Sequence, residues 1–337
     1  MPILNPFTGS AYSMANLTLA INKMPNMYTL LGDMGLFTEE GITTRVAIIE
    51  QRNNVLNLLP IMPVGARPSA GTIGKREARA FVIPHIPHAD VVLPSEVQGI
   101  RAFGSESETE TIQSLMFQKL QTMKNKHAIT KEWLRAGALN GIVYDSDGTT
   151  VVYNYFTEFG ITRETVNLAL TDLDLEVRNS VMTAKRWIET HLYGETSNGF
   201  MALCSPEFFD ALVAHPVVKE AYKFYQQQQN LSGDFRGGFR YGDVIWKEYL
   251  GQATDVSGNV RKFITANEAL MFPLGTTQMF RMYYAPGNFN STVNTVGLPL
   301  YALQEERDMQ QGWDILTESN PLPVVTRPEA IVRLTIS

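Results

Sequence analysis

The run His85-Ile86-Pro87-His88-Ala89-Asp90 places a pair of imidazoles and a carboxylate close enough in sequence to serve as a facial ligand set for a divalent metal. Local geometry opposes that use. On an extended strand, residues three apart point to opposite faces, and Pro84 and Pro87 favour extended backbone, so only a turn would bring His85 and His88 onto one ion. Cys204, the only cysteine, stands where a predicted strand meets a helix start, a place that lowers thiol pKa. No base neighbours it in sequence, and free cysteine is among the most often buried residue types. Gly237-Gly238-Phe239-Arg240-Tyr241-Gly242 is rich in glycine but lacks both the spacing and the lysine of a phosphate loop. Glu106, Glu108 and Glu110 read as helix capping, and Glu305-Glu306 as a solvated face, rather than as acid and base pairs. Gly-x-Ser-x-Gly, P-loop, His-Glu-x-x-His and dinucleotide patterns are all absent. The sequence therefore assigns no catalytic, cofactor-binding or metal residue, and a metal-dependent hydrolase using His85, His88 and Asp90 stands only as an alternative.

The strongest element signal is helical. Ser105 with Glu108 and Ser107 with Glu110 have capping-box spacing, and Ile112, Leu115, Met116, Leu120, Met123, His127, Leu134 and Ala138 continue as a helical stripe. Early acids and the later Lys119, Lys124, Lys126, Lys131 and Arg135 complement a helix macrodipole. With Gly137 or Gly141 as the stop, about 30 residues would span roughly 45 Å, long for a globular domain. Before this helix, β-branched and apolar runs at 42–50, 55–64, 78–83 and 91–93 surround a glycine- and proline-rich stretch at 65–74, predicting a long hairpin-like excursion. Between residues 41 and 104, seven basic residues face four acidic ones, a local +3 in a chain of net charge -6. That excess fits either a solvated loop or a basic projection docking on an acidic neighbour. After the helix, strands at 142–144 and 151–156 flank a turn at Asp145-Ser146-Asp147-Gly148, and a second helix covers 172–193. A strand at 199–204 precedes a helix capped by Ser205-Pro206-Glu207; further strands are predicted at 243–250, 260–264, 279–284, 313–317 and 330–336, with a long loop at 285–299.

Composition bounds the class. The chain has 337 residues, 44% hydrophobic, enough for about two domains at roughly 150 residues each. A single cysteine excludes an intramolecular disulfide framework, and no signal-like start or apolar run of spanning length is evident, which predicts a cytosolic chain. Charged residues make up 18%, against roughly 25% in an average soluble chain, while Met and aromatics are plentiful. Either a large monomer core or extensive burial against neighbouring copies gives this balance. The net negative charge argues against a general nucleic-acid coat. Residues 1–37 read as an arm, with Met24, Met27, Tyr28, Leu30, Leu31, Met34, Leu36 and Phe37 too apolar for a free tail, so something must cover them.

This order of elements, with Leu36-Phe37-Thr38-Glu39-Glu40-Gly41-Ile42-Thr43-Thr44, Val55-Leu56-Asn57-Leu58-Leu59-Pro60, Phe81-Val82-Ile83-Pro84-His85-Ile86-Pro87-His88 and Tyr241-Gly242-Asp243-Val244, resembles the phage major capsid protein E family. Its members are major capsid proteins of tailed phages of the phage lambda type, and the likeness spans nearly the whole chain. The resemblance implies an α+β architecture, the Hong Kong 97-like capsid fold. Its parts would be an N-terminal arm (1–37), an extended β loop (38–95), a peripheral domain with a long spine helix (96–195 and 303–337) and an axial domain (196–302). It implies self-assembly through pentamers and hexamers into an icosahedral head shell, assembled in the host cytoplasm, that encloses double-stranded DNA without sequence-specific binding. Decoration, scaffolding and portal proteins and a maturation protease are the implied partners; no cofactor and no membrane contact are implied. On this basis Arg67, Lys75, Arg76 and Arg79 of the loop and Met27, Tyr28 and Leu31 of the arm are expected to contact neighbouring subunits. Some relatives of this fold cross-link a lysine to an asparagine; Lys75 lies near the loop tip, but no motif identifies its acceptor or a catalytic carboxylate. An encapsulin-type nanocompartment shell is the alternative within the same fold, distinguished by protein cargo in place of DNA.

Overall fold

The computed structural model describes residues 14–23, 29–52, 76–96, 112–172, 176–221 and 238–337. The predicted strand at 55–64, the loop tip at 65–74, the capping pairs at 105–110, and Met27, Tyr28, Arg67, Lys75 and Gly237 lie outside the described residues, as does the side chain of Arg76.

The predicted long helix is present as Ile112–Leu139, 28 residues and about 42 Å long. It is the third described helix, α3, after α1 (Met14–Lys23) and α2 (Leu30–Asp33). Its stripe works as the spacing requires: Met116, Leu120, Met123, His127, Leu134 and Ala138 are all buried. The helix joins two cores. Met116, Leu120 and Met123 pack with Leu17 and Ile21 of α1 and with Val92, Ala302, Trp313 and Ile315, whereas Leu134, Ala136, Ala138 and Leu139 enter the main core. Gly141 is the stop: its φ of +81° is left-handed, and its N–H donates to Ala138 O at 3.0 Å. Gly137 instead lets the helix approach the following strand, since a Cβ there would lie 3.0 Å from Ile142 O.

Beyond α3, Ile142–Tyr144 and Val151–Asn154 pair antiparallel around the predicted turn. Then come α4 (Tyr155–Phe159), α5 (Val177–His191) and α6 (Pro206–Ala214). The Ser205 side chain accepts from Phe208 N at 3.2 Å, with Pro206 in the first turn of α6, as the sequence predicts. The main sheet has six strands in the order Thr165–Asn167, Val332–Thr335, Glu268–Leu274, Gly199–Cys204, Val244–Glu248 and Phe239–Tyr241. It draws strands from both sides of the boundaries expected near 195 and 302. One three-stranded sheet runs Tyr301–Glu306, Trp313–Ser319, Ile86–Val92; another runs Thr38–Gly41, Phe280–Tyr284, Pro321–Val325. The strands predicted at 313–317 and 330–336 thus find partners.

Several strands went unpredicted, among them Thr165–Asn167, Phe239–Tyr241, Gln252–Thr254 and Tyr301–Glu306, and three others show why. Glu268–Leu274 is buried on both faces, so it shows a continuous apolar run rather than alternation. Pro321–Val325 carries Pro321 and Pro323, tolerated because it is an edge strand bonded only to Phe280–Tyr284. Thr38–Gly41 has no apolar alternation; it is held by its parallel register on Phe280–Tyr284, Thr38 opposite Arg281.

Candidate assembly interface

The excursion begins as a ribbon: Val46–Arg52 pairs antiparallel with Arg76–Val82, Val46 opposite Val82 and Arg52 opposite Arg76. Strand alternation divides it into two faces. Ala47, Ile49 and Phe81 are buried against the subunit, with Phe81 in edge contact with Tyr153 and Tyr155. On the other face Ile48 is 68% and Val82 62% exposed, with Val46 and Ala80 beside them. Aliphatic side chains paired across an exposed ribbon carry no group that could do chemistry. Arg79, expected to reach a neighbour, lies half-buried with its guanidinium 5.1 Å over the Phe159 ring of its own chain.

The described part of the arm packs on its own chain. Leu17, Thr18 and Ile21 of α1 are buried by the same chain, and Thr18 Oγ1 accepts from Ala302 N at 3.1 Å while Asn22 Nδ2 donates to Leu300 O at 2.9 Å. Leu31, expected to contact a neighbour, is 1% exposed within its own subunit. The reason is Glu132. Its buried carboxylate accepts from Leu31 N at 2.6 Å, Gly32 N at 3.1 Å and Tyr249 Oη at 2.7 Å, which fastens α2 to α3.

The basic residues of α3 do more than complement a dipole. Lys119 meets Glu96 at 2.9 Å and Asp90 at 3.7 Å and donates to Val91 O; Lys124 donates to Asn22 O at 3.3 Å; Arg135 pairs with Glu39 at 2.7 Å. Each ties a different segment to the spine. At 100° per residue Lys124 and Arg135 share a face of the helix while Lys119 points to the other side, and the partners come from distant sequence and were invisible there.

The histidine run leads into the strand Ile86–Val92, and its two imidazoles go to different partners. His85 Nδ1 lies 3.1 Å from Glu318 Oε1 and 3.0 Å from Asn320 Oδ1, whereas His88 Nε2 lies 3.1 Å from Lys126 Nζ. Burial and the Lys126 charge lower the pKa of His88, with Asp90 opposing. Among the described residues no group of three His, Cys, Asp or Glu side chains is placed to hold a metal ion. The hydrolase alternative loses its triad because His85 is held at Glu318 and Asn320, away from His88 and its Lys126 partner. Cys204 is fully buried in the central sheet, and burial pushes its thiol well up, the wrong direction for a nucleophile. Among the described residues no helix is long and apolar enough to cross a membrane.

A spine helix, a two-stranded excursion, an arm laid on the spine and a large mixed sheet define the Hong Kong 97-like class of shell proteins. The capsid of Ralstonia phage GP4 has this fold at a TM-score of 0.54 and 10% identity, over 90% of this chain and 87% of that one. Sequence comparison goes further. The chain is 30% identical to the major capsid protein of Pseudomonas phage KPP10, over 97% of this chain and 98% of the relative. It is 26% identical to that of Salmonella phage Felix O1, over 96% of each. The chain belongs to the phage major capsid protein E family, whose model matches residues 13–336. It is a structural protein of the virion, not an enzyme.

Proposed function

We propose that this chain assembles through pentamers and hexamers into the icosahedral head of a tailed phage of the lambda type, around double-stranded DNA that it does not read by sequence. The observation that carries this reading is the match along nearly the full length of both this chain and a phage major capsid protein. Closed shells require heterologous contacts repeated around rings of five and six. The exposed aliphatic face of the ribbon supports a role for the excursion in such contacts. Arg67, Lys75 and Arg76 are the loop cations assigned to a neighbouring subunit, and Met27 and Tyr28 are the arm residues so assigned. The division into arm, loop, peripheral and axial parts, and partnership with decoration, scaffolding and portal proteins, belong to the same reading.

The test is sedimentation with negative-stain electron microscopy on the full chain expressed with its neighbouring genes. Closed particles tens of nanometres across containing DNA are expected. Particles filled with a protein cargo would favour a nanocompartment, and a monomer or dimer under those conditions would overturn the shell reading.

A further inference from the structure

One face of α3 carries three cations that line a cavity of about 410 Å³, whose other walls are α1, α2, Glu39 and the 298–300 segment. Lys124, Lys131 and Arg135 stand seven and four residues apart, the spacing that aligns side chains along a helix. Lys124 is held by Asn22 O, and Arg135 by Glu39 at 2.7 Å and Glu132 at 3.7 Å. Lys131 differs from both. Among the described residues it makes no hydrogen bond or ion pair, and its ammonium sits 5.8 Å over the Tyr284 ring.

Among the described residues the acids nearby are already used or peripheral. Glu39 is engaged by Arg135, the Glu132 oxygens are taken by Leu31 N, Gly32 N and Tyr249 Oη, and Asp33 lies exposed at the rim. A half-buried ammonium with no counter-ion is costly unless something supplies one. Burial, followed by the Arg135 charge, pushes the Lys131 pKa down to about 8, with Glu39 opposing and Lys124 adding a smaller lowering. At about 30 Å³ per water, the cavity has room for a group of several heavy atoms.

We propose that this cavity is an oxyanion site, in which Lys131, flanked by Lys124 and Arg135, receives a carboxylate or phosphate group. A point charge beside a planar guanidinium is the donor pair that such groups suit. Inorganic phosphate and a carboxylate side chain of a second copy share this chemistry. The site belongs to the single subunit, so its failure would leave the shell reading intact.

Acetylation rates at Lys131, followed by peptide mass spectrometry of the full chain from pH 6 to 11, give the midpoint of its titration, with Lys23 as an internal control. Two arms are compared: unassembled subunit with and without about 10 mM inorganic phosphate, and assembled shells in phosphate-free buffer. An upward move of the midpoint by about one pH unit, a tenfold change in proton affinity, is expected in at least one arm. A move with phosphate identifies a free anion as ligand, and a move on assembly alone identifies a neighbour's carboxylate. Burial without an anion would not raise the midpoint. An unchanged midpoint in both arms overturns the proposal. Where phosphate moves the midpoint, a phosphate-dependent rise in melting temperature that Lys131→Met retains in full would place the anion elsewhere and overturn the proposal; Lys131→Arg is expected to keep that rise.

Discussion

Glu132→Ala is the sharpest test of how the arm is held. Glu132 is 1% exposed and accepts from Leu31 N, Gly32 N and Tyr249 Oη, with Arg135 Nη1 3.7 Å away. Alanine removes the acceptor and leaves those donors and the Arg135 side chain, 8% exposed, without it. Each stranded neutral donor costs about 1–3 kcal/mol, and breaking a buried ion pair from one side costs about 3–5 kcal/mol. These terms overlap because all act on one carboxylate. The net expectation is a loss of about 3–5 kcal/mol, concentrated where α2 meets α3. Urea unfolding of the unassembled subunit measures the total, and limited proteolysis reports whether residues 29–37 become cleavable first. Glu39→Ala is the internal contrast: its carboxylate also meets Arg135, but its side chain is 45% exposed, and the expected loss is about 0–1 kcal/mol. If Glu132→Ala cost no more than Glu39→Ala, or left the arm as resistant as before, the assignment of Glu132 as the fastening would be wrong.

Burial lowers His127 to about 3, with smaller contributions from Lys131 and His88, so the folded state holds it neutral while the unfolded chain titrates near 6.5. Between those values the unfolded state binds more protons, so stability falls as pH drops below about 6.5; by pH 5 the loss is about 2 kcal/mol. Unfolding midpoints at pH 7.5 and 5 should show this loss in the natural protein and a smaller one in His127→Gln; equal losses would contradict it. On the ribbon, Ile48→Lys with Val82→Lys should change subunit stability by under about 0.5 kcal/mol, because both side chains are largely exposed, yet reduce shell yield. Normal shells from the double variant would remove that face from the assembly surface.

Local patterns determined much of this protein. The α3 stripe, the Ser205 cap on α6, the turn at Gly148 and the strands at 199–204, 244–248 and 280–284 were legible because capping, periodicity and turn chemistry act within a few residues. The phrases that carried the resemblance pointed to the family through the same local text. Tertiary structure decided what depended on distant partners. It showed Glu268–Leu274 as a central strand, since burial on both faces erases alternation, and it tolerated prolines at 321 and 323 only because that strand lies at an edge. It parted His85 from His88 and gave each a partner more than 30 residues away. It also gathered Leu31, Gly32, Glu132 and Tyr249 around one carboxylate and left Lys131 facing a cavity. A sequence records which groups exist and how they repeat; which charge meets a counter-charge is fixed only when segments a hundred residues apart are packed together.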